Sequence, residues 1–182
     1  MTQSVELLLD PVAETAIHDQ WVRLAEAGLP TALRTPAPPH HRPHITLWAG
    51  ESVPLGAEEA WVELITGLDL SLMIGSWLLF GPRRGRCVLA RQVIPTVALL
   101  DLQRRVAEVA EADPGGHFGP ARWSPHVTVA PRIATHELGA GLAELEGSTP
   151  ELPARVTDCR RWDGEARTAW SLTTPTASSP TL

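Results

Sequence analysis

Polar and apolar residues alternate in two short stretches, Pro43-His44-Ile45-Thr46-Leu47 and Pro125-His126-Val127-Thr128-Val129, one in each half of the chain. Period-two alternation with β-branched residues predicts half-buried strands. Side chains on a strand point alternately to its two faces, so each His shares a face with its Thr and the aliphatic pair takes the other. With the aliphatic faces turned to a core, both His-Thr pairs open onto a cleft. The Pro before each motif suits a strand start, where a missing N–H costs no ladder bond.

The remaining pattern fills in around these two strands. A short apolar run over residues 5–9 ends at Asp10-Pro11 and predicts a buried strand and turn. Ala16, Ile17, Trp21, Leu24 and Ala25 recur at helical spacing over 12–27, with Gly28 as the stop. Residues 36–43 predict an irregular Pro-rich approach to the first motif strand, which is expected over 44–49. A helix over 57–65 follows, then strands over 70–74, 77–80 and 87–93, the last two joined by a turn-rich hairpin at 81–86. Leu99, Leu102, Val106, Val109 and Ala110 give a helix over 96–112 its apolar stripe. A further helix is expected over 135–145, capped by Thr135. Strands over 155–162 and 167–172 close the chain around Asp163-Gly164. The segment 173–182, rich in Thr, Ser and Pro, is expected to be a disordered tail after a single domain over 1–172.

Mixed helices and strands with hairpin-like connections favour an α+β fold with antiparallel sheets over a doubly wound parallel one. No G-x-G-x-x-G and no G-x-x-x-x-G-K-[ST] occurs, which removes the main support for dinucleotide and nucleoside-triphosphate folds.

Composition narrows the function classes. The chain of 182 residues carries a net charge of −6, which argues against a non-specific nucleic-acid binder and leaves room for a small anionic ligand held by a few arginines. Cys87 and Cys159 are far apart and form no C-x-x-C, so neither a disulfide framework nor a thiolate zinc site is expected. Without a signal-like start or a long apolar run, the expectation is a cytoplasmic protein with no membrane span.

Two imidazoles facing each other across a cleft suit hydrolysis of a phosphodiester. One takes a proton from water and the other gives one to the leaving oxygen, and both forms of His are accessible near neutral pH. Thr46 and Thr128 would donate hydroxyl hydrogen bonds to the non-bridging oxygens, where charge gathers in the transition state. Trp48 continues the His44-Thr46 parity and is a candidate to stack on a base, though a Trp at a strand end also suits a core. Arg132 follows Thr128 on the same parity, and Arg42 and Arg122 flank the motifs; all three are candidate phosphate or substrate contacts. Arg83, Arg84 and Arg86 form the densest basic cluster and suit a solvated hairpin tip. The His40-His41-x-x-His44 cluster could be weighed for zinc, but it sits in a Pro-rich loop with no carboxylate, so no metal is expected.

The paired His-x-Thr-x motifs, His44-Ile45-Thr46-Leu47 and His126-Val127-Thr128-Val129, resemble those of the two-histidine (2H) phosphoesterase superfamily, the 2′–5′ RNA ligase-like or LigT-like proteins. The opening Val5-Glu6-Leu7-Leu8-Leu9-Asp10-Pro11 resembles one branch of that family. The resemblance spans roughly residues 4–172. It implies a bilobal α+β fold with pseudo-two-fold symmetry, in which two antiparallel sheets face a central cleft and helices lie outside. It implies a metal-independent phosphodiesterase, without cofactor, acting on a 2′,3′-cyclic or 2′–5′-linked nucleotide, with His44 as general acid and His126 as general base. The alternatives are RNA end processing on tRNA-like substrates and a non-catalytic nucleotide or RNA binder. The expected partner is a small nucleotide or RNA-end substrate; no protein partner is implied, and a monomer is expected. The chain departs from familiar members in containing no Tyr and in following its second motif with Ala130-Pro131-Arg132.

Overall fold

A computed structural model describes residues 2–173. In chain order the elements are β1 Gln3–Leu9, α1 Pro11–Glu26, β2 His44–Gly50, α2 Ala57–Ile65, β3 Ser71–Arg83, β4 Arg86–Val93, α3 Val97–Val109, β5 His126–Ala134, a 3-10 turn Thr135–Glu137, α4 Leu138–Glu144, β6 Leu152–Asp163 and β7 Thr168–Ser171. The fold is α+β, and all strand pairings are antiparallel.

The strands run in the order β1-β2-β5-β4-β3-β6-β7, and β1 also pairs with β6. They form one hydrogen-bonded sheet where two were expected. The joining strand is β6: its first residues pair with β3 at Ser71–Ile74, and the rest pair with β1. The two motif strands β2 and β5 are neighbours, joined by the single pair Ile45↔Val127.

Local chemistry explains the helix limits. Asp10 caps α1 by accepting from Val12 N (3.0 Å) and Ala13 N (3.1 Å), with Pro11 in the first turn and Gly28 in a left-handed conformation just past its end. Thr96 caps α3 by accepting from Leu99 N. Thr135 does not cap the turn before α4; the Glu137 carboxylate does so by accepting from Ala134 N at 3.1 Å. Residues 70–74 and 77–80 belong to one strand, β3, because Gly75-Ser76 is absorbed as a register shift against β4. The expected tail lies, beyond Thr173, outside the described residues.

Helix α3 packs on α2 and β2, and α1 packs on β5 and β6. The apolar residues form one buried cluster that includes Ile45, Leu47, Val127 and Val129. Trp61 of α2 is fully buried in it and donates its indole N–H to Val106 O (3.1 Å). Among the described residues no helix is long and apolar enough to cross a membrane. Both cysteines are buried and unpaired with each other.

Candidate active site

Ile45 and Val127 face each other in the β2–β5 pair and are both completely buried. Their neighbours must therefore point the other way. Continued by one residue, the register sets His44 opposite Thr128 and Thr46 opposite His126, all four half-buried. The two imidazoles are then diagonal neighbours, a relation that spans roughly 7–8 Å in a regular antiparallel pair.

Both imidazoles are tied down in the same way. His44 Nδ1 contacts Arg42 O at 2.8 Å, and His126 Nδ1 contacts Ser124 O at 2.7 Å. A carbonyl can only accept, so Nδ1 carries the proton in each ring and Nε2 is left for chemistry. In each case the acceptor is two residues upstream, across the motif proline. Pro43 and Pro125 restrict the preceding residue to extended backbone, which helps to aim that carbonyl at the ring.

Each motif strand also bulges directly after its Thr. Against β1, Thr46 pairs with Glu6 and Trp48 with Val5, so Leu47 is the extra residue. Against β4, Thr128 pairs with Ala90 and Ala130 with Leu89, so Val129 is extra. A bulge ends the simple alternation. Leu47 and Trp48 both turn into the core, as do Val129 and Ala130. This corrects the placement of Trp48: it lies in the core, 4% exposed, with its ring centroid 5.6 Å from that of Trp61. A side-chain carbon at Gly50 would collide with its ring. Trp48→Ala should therefore cost about 3–5 kcal/mol of stability in chemical denaturation, while the folded fraction keeps its KM. A raised KM at unchanged stability would return Trp48 to the cleft.

Two indoles clamp the backbone of the motif threonines. Trp123 Nε1 donates to Thr46 O (2.9 Å) and Trp21 Nε1, from α1, donates to Thr128 O (3.0 Å). Neither Thr hydroxyl is hydrogen-bonded to another described residue, so both can serve a ligand.

Two cavities flank His44. One, of about 360 Å³, is walled by Trp21, His41, Thr128 and Pro131. The other, of about 350 Å³, is walled by Thr46, Phe118 and Trp162 and floored by Ser4, Glu6 and Arg160. Arg34, on the segment before β2, lines both. The larger cavity beside Trp77 and Arg91, about 590 Å³, contains none of the motif residues.

The floor is a buried charge network that the sequence pattern did not reveal. Glu6 accepts from Arg160 Nε (2.8 Å) and from the Ser4 hydroxyl (2.7 Å), and its Oε1 lies 3.7 Å from His44 Nε2. Burial would raise the Glu6 carboxyl, but His44, Arg160 and Ser4 together outweigh it and hold it below the usual carboxylate range. Arg160 also donates to His40 O (2.6 Å). The available signal was a lone Glu and Ser alternating with the apolar residues at the start of the first strand. The His126 ring lines neither of these two cavities and lies 4.6 Å from that of Phe80. Burial pushes His126 below its ordinary value, outweighing the Ser124 carbonyl, and His44 adds to the depression.

The candidate arginines fall outside these cavities. Arg42 is held by both carboxylate oxygens of Glu14, with Nε–Oε1 at 2.8 Å. Arg122 and Arg132 are exposed and line neither cavity; the bulge has given the cleft-facing position after Thr128 to Pro131. Arg83, Arg84 and Arg86 are exposed at the β3–β4 hairpin. His41 donates from Nε2 to Ala32 O (2.7 Å), and His40 stacks 4.4 Å from the Trp162 ring. Among the described residues no group of three or more His, Cys, Asp and Glu side chains is arranged to hold a metal ion.

A family model described as the 2′-5′ RNA ligase superfamily matches residues 11–167. No curated protein matches the chain. Among solved structures, E. coli LigT complexed with 3′-AMP is 16% identical with a TM-score of 0.53, covering 94% of this chain and 97% of that one. Kluyveromyces marxianus Usb1 is 12% identical with a TM-score of 0.55, covering 94% and 97%. TT0787 of Thermus thermophilus is 15% identical with a TM-score of 0.58, covering 97% and 100%. At these identities the likeness is one of fold.

Proposed function

The chain belongs to the 2′-5′ RNA ligase superfamily, and on that footing we propose that it is a metal-independent phosphodiesterase acting on a 2′,3′-cyclic or 2′–5′-linked nucleotide. The observation that carries this reading is the matched tethering of His44 and His126 through Nδ1, which leaves two Nε2 atoms and two unengaged Thr hydroxyls on one face.

His126 Nε2 takes a proton from water as its oxygen attacks phosphorus. His44 Nε2 gives a proton to the leaving ribose oxygen as the P–O bond breaks, and the product is a phosphomonoester. Thr46 and Thr128 hydrogen-bond the non-bridging oxygens. The asymmetry of the two rings supports these roles: His44 faces a carboxylate, whereas burial disfavours charge on His126. That E. coli LigT has been seen with 3′-AMP, and Kluyveromyces marxianus Usb1 with uridine monophosphate, is in keeping with a nucleotide in such a cleft. A second reading, RNA end processing, is favoured by the two cavities of similar size that His44 lines, which offer room for more than one nucleoside.

The test is hydrolysis of the 2′,3′-cyclic mononucleotides and of a 2′–5′-linked dinucleotide across pH, with EDTA present. Turnover is expected to survive EDTA. The acid limb of kcat/KM, which reports loss of the neutral base, should lie below the unperturbed imidazole value of about 6.5, because a depressed His126 stays neutral to lower pH. An acid limb above that value would contradict His126 as the base, and turnover abolished by EDTA would end the metal-independent reading.

A further inference from the structure

Arg91 of β4 pairs with Val127 of β5, the residue between His126 and Thr128. Residues paired across two strands share a face, and neighbours along a strand take opposite faces. Arg91 therefore stands on the side of the sheet away from His126 and Thr128, together with its other partner, Trp77 of β3. Its guanidinium lies over the Trp77 ring, 4.9 Å from the centroid. Arg91 is 2% exposed, and a cation that deep is costly to bury without a counter-charge. Among the described residues no carboxylate pairs with it. Nε donates to Gly75 O at 2.7 Å, and Nη2 donates to Thr149 O and Pro150 O, both at 2.9 Å. Carbonyls satisfy those N–H groups but carry no net charge, and Nη1 has no hydrogen-bond partner among the described residues.

Arg91 and Trp77 line the cavity of about 590 Å³, a volume that suits a small organic molecule. Leu142 and Leu145, at the end of α4, give it an apolar wall. A smaller cavity of about 180 Å³ adjoins it, and Arg91 lines both. Gln20 of α1 lines the smaller one; it is 4% exposed, and its Oε1 has no hydrogen-bond partner. Native structures leave few buried polar groups unpaired, and here an unneutralised cation and an unused acceptor lie on adjoining cavities. Arg23, the other cation in the lining, already donates to Glu146 O (2.8 Å) and to the Ser148 hydroxyl (3.3 Å). Two exposed carboxylates, Glu146 and Asp19, also belong to the lining and disfavour a dianion. A single negative charge suits the one cation that lacks a counter-charge.

We propose that this cavity is a second ligand site, which binds a small organic acid with its one carboxylate on Arg91 Nη1 and its apolar body against Trp77, Leu142 and Leu145. It contains none of the motif residues and lies on the other side of the sheet from His126 and Thr128, so it is separate from the cleft and does not rest on the phosphodiesterase reading.

The experiment is a titration with benzoate at neutral pH, followed by the indole N–H signals in NMR, with the Trp77 signal assigned by its loss in Trp77→Phe. Benzoate is expected to move the Trp77 signal saturably and to leave those of Trp21 and Trp123, whose indoles bond Thr128 O and Thr46 O and so report on the cleft. Benzyl alcohol, of the same shape without the charge, should bind at least about tenfold more weakly, since hydrogen bonds to an ionised group are the stronger kind. Arg91→Met should abolish benzoate binding, but it also frees the carbonyls of Gly75, Thr149 and Pro150 and can unfold the chain. Leu142→Asp tests the same point at a wall position that is 38% exposed, where a like charge should weaken benzoate and spare benzyl alcohol. A Trp77 signal unmoved at about 10 mM benzoate, well above the millimolar range expected of so small a ligand, overturns the proposal. So does benzoate moving Trp21 and Trp123 instead, benzyl alcohol binding equally well, or unchanged benzoate affinity in either folded variant.

Discussion

His126→Ala should lower kcat/KM by about 10²- to 10⁴-fold, the usual contribution of a positioned base, with the fold retained. The ring is half-buried, so its loss removes the base without opening the core, where Val127 and Val129 are fully buried. His44→Ala should cost a similar factor on a ribose leaving group. The two variants part on a phosphodiester whose leaving group is a nitrophenol, an oxygen that departs without a proton. There His44→Ala should recover most of its loss and His126→Ala should not. Recovery by His126→Ala instead would exchange the roles, and full activity of His126→Ala on the cyclic nucleotide would end the two-histidine mechanism.

Thr46→Val and Thr128→Val should each lower kcat by about 10²-fold with little change in KM, by analogy with removal of one donor from an oxyanion site. Both hydroxyls face the cleft and neither is engaged by another described residue, while the backbone carbonyl of each residue is held by an indole. Valine keeps the shape and the clamp and loses only the donor. A rise in KM with kcat preserved would mean that the hydroxyls bind the ground state and the transition state equally. Steady-state kinetics on the best substrate found separates the two outcomes, and a melting temperature guards against loss of folded protein.

Much of this was legible in the chain. The alternation in the two motifs placed His44, Thr46, His126 and Thr128 on one face because period two is a local property of an extended backbone. The helix over 57–65 was read to its ends from its apolar spacing, and Gly28 marked the end of α1, because a helix stop acts within one turn of the residues it follows. The α+β class followed from the mixture of the two periods.

What was not legible depends on pairing at a distance. Trp48 kept its parity on paper and lost it to a bulge, which exists only relative to β1, the strand alongside. The division into two sheets gave way to one because β6 changes partner partway along its length. Glu6 and Arg160, 154 residues apart, form one buried pair, and neither residue by itself announces the other. The indole clamps on Thr46 and Thr128 likewise come from Trp123 and from Trp21, 77 and 107 residues away. The sequence by itself determined which candidate groups share a face and which way they point on their own strands. The tertiary structure alone decided what surrounds each imidazole, a carboxylate at His44 and an aromatic wall at His126, because a side chain's electrostatic environment is made by whatever the fold packs against it.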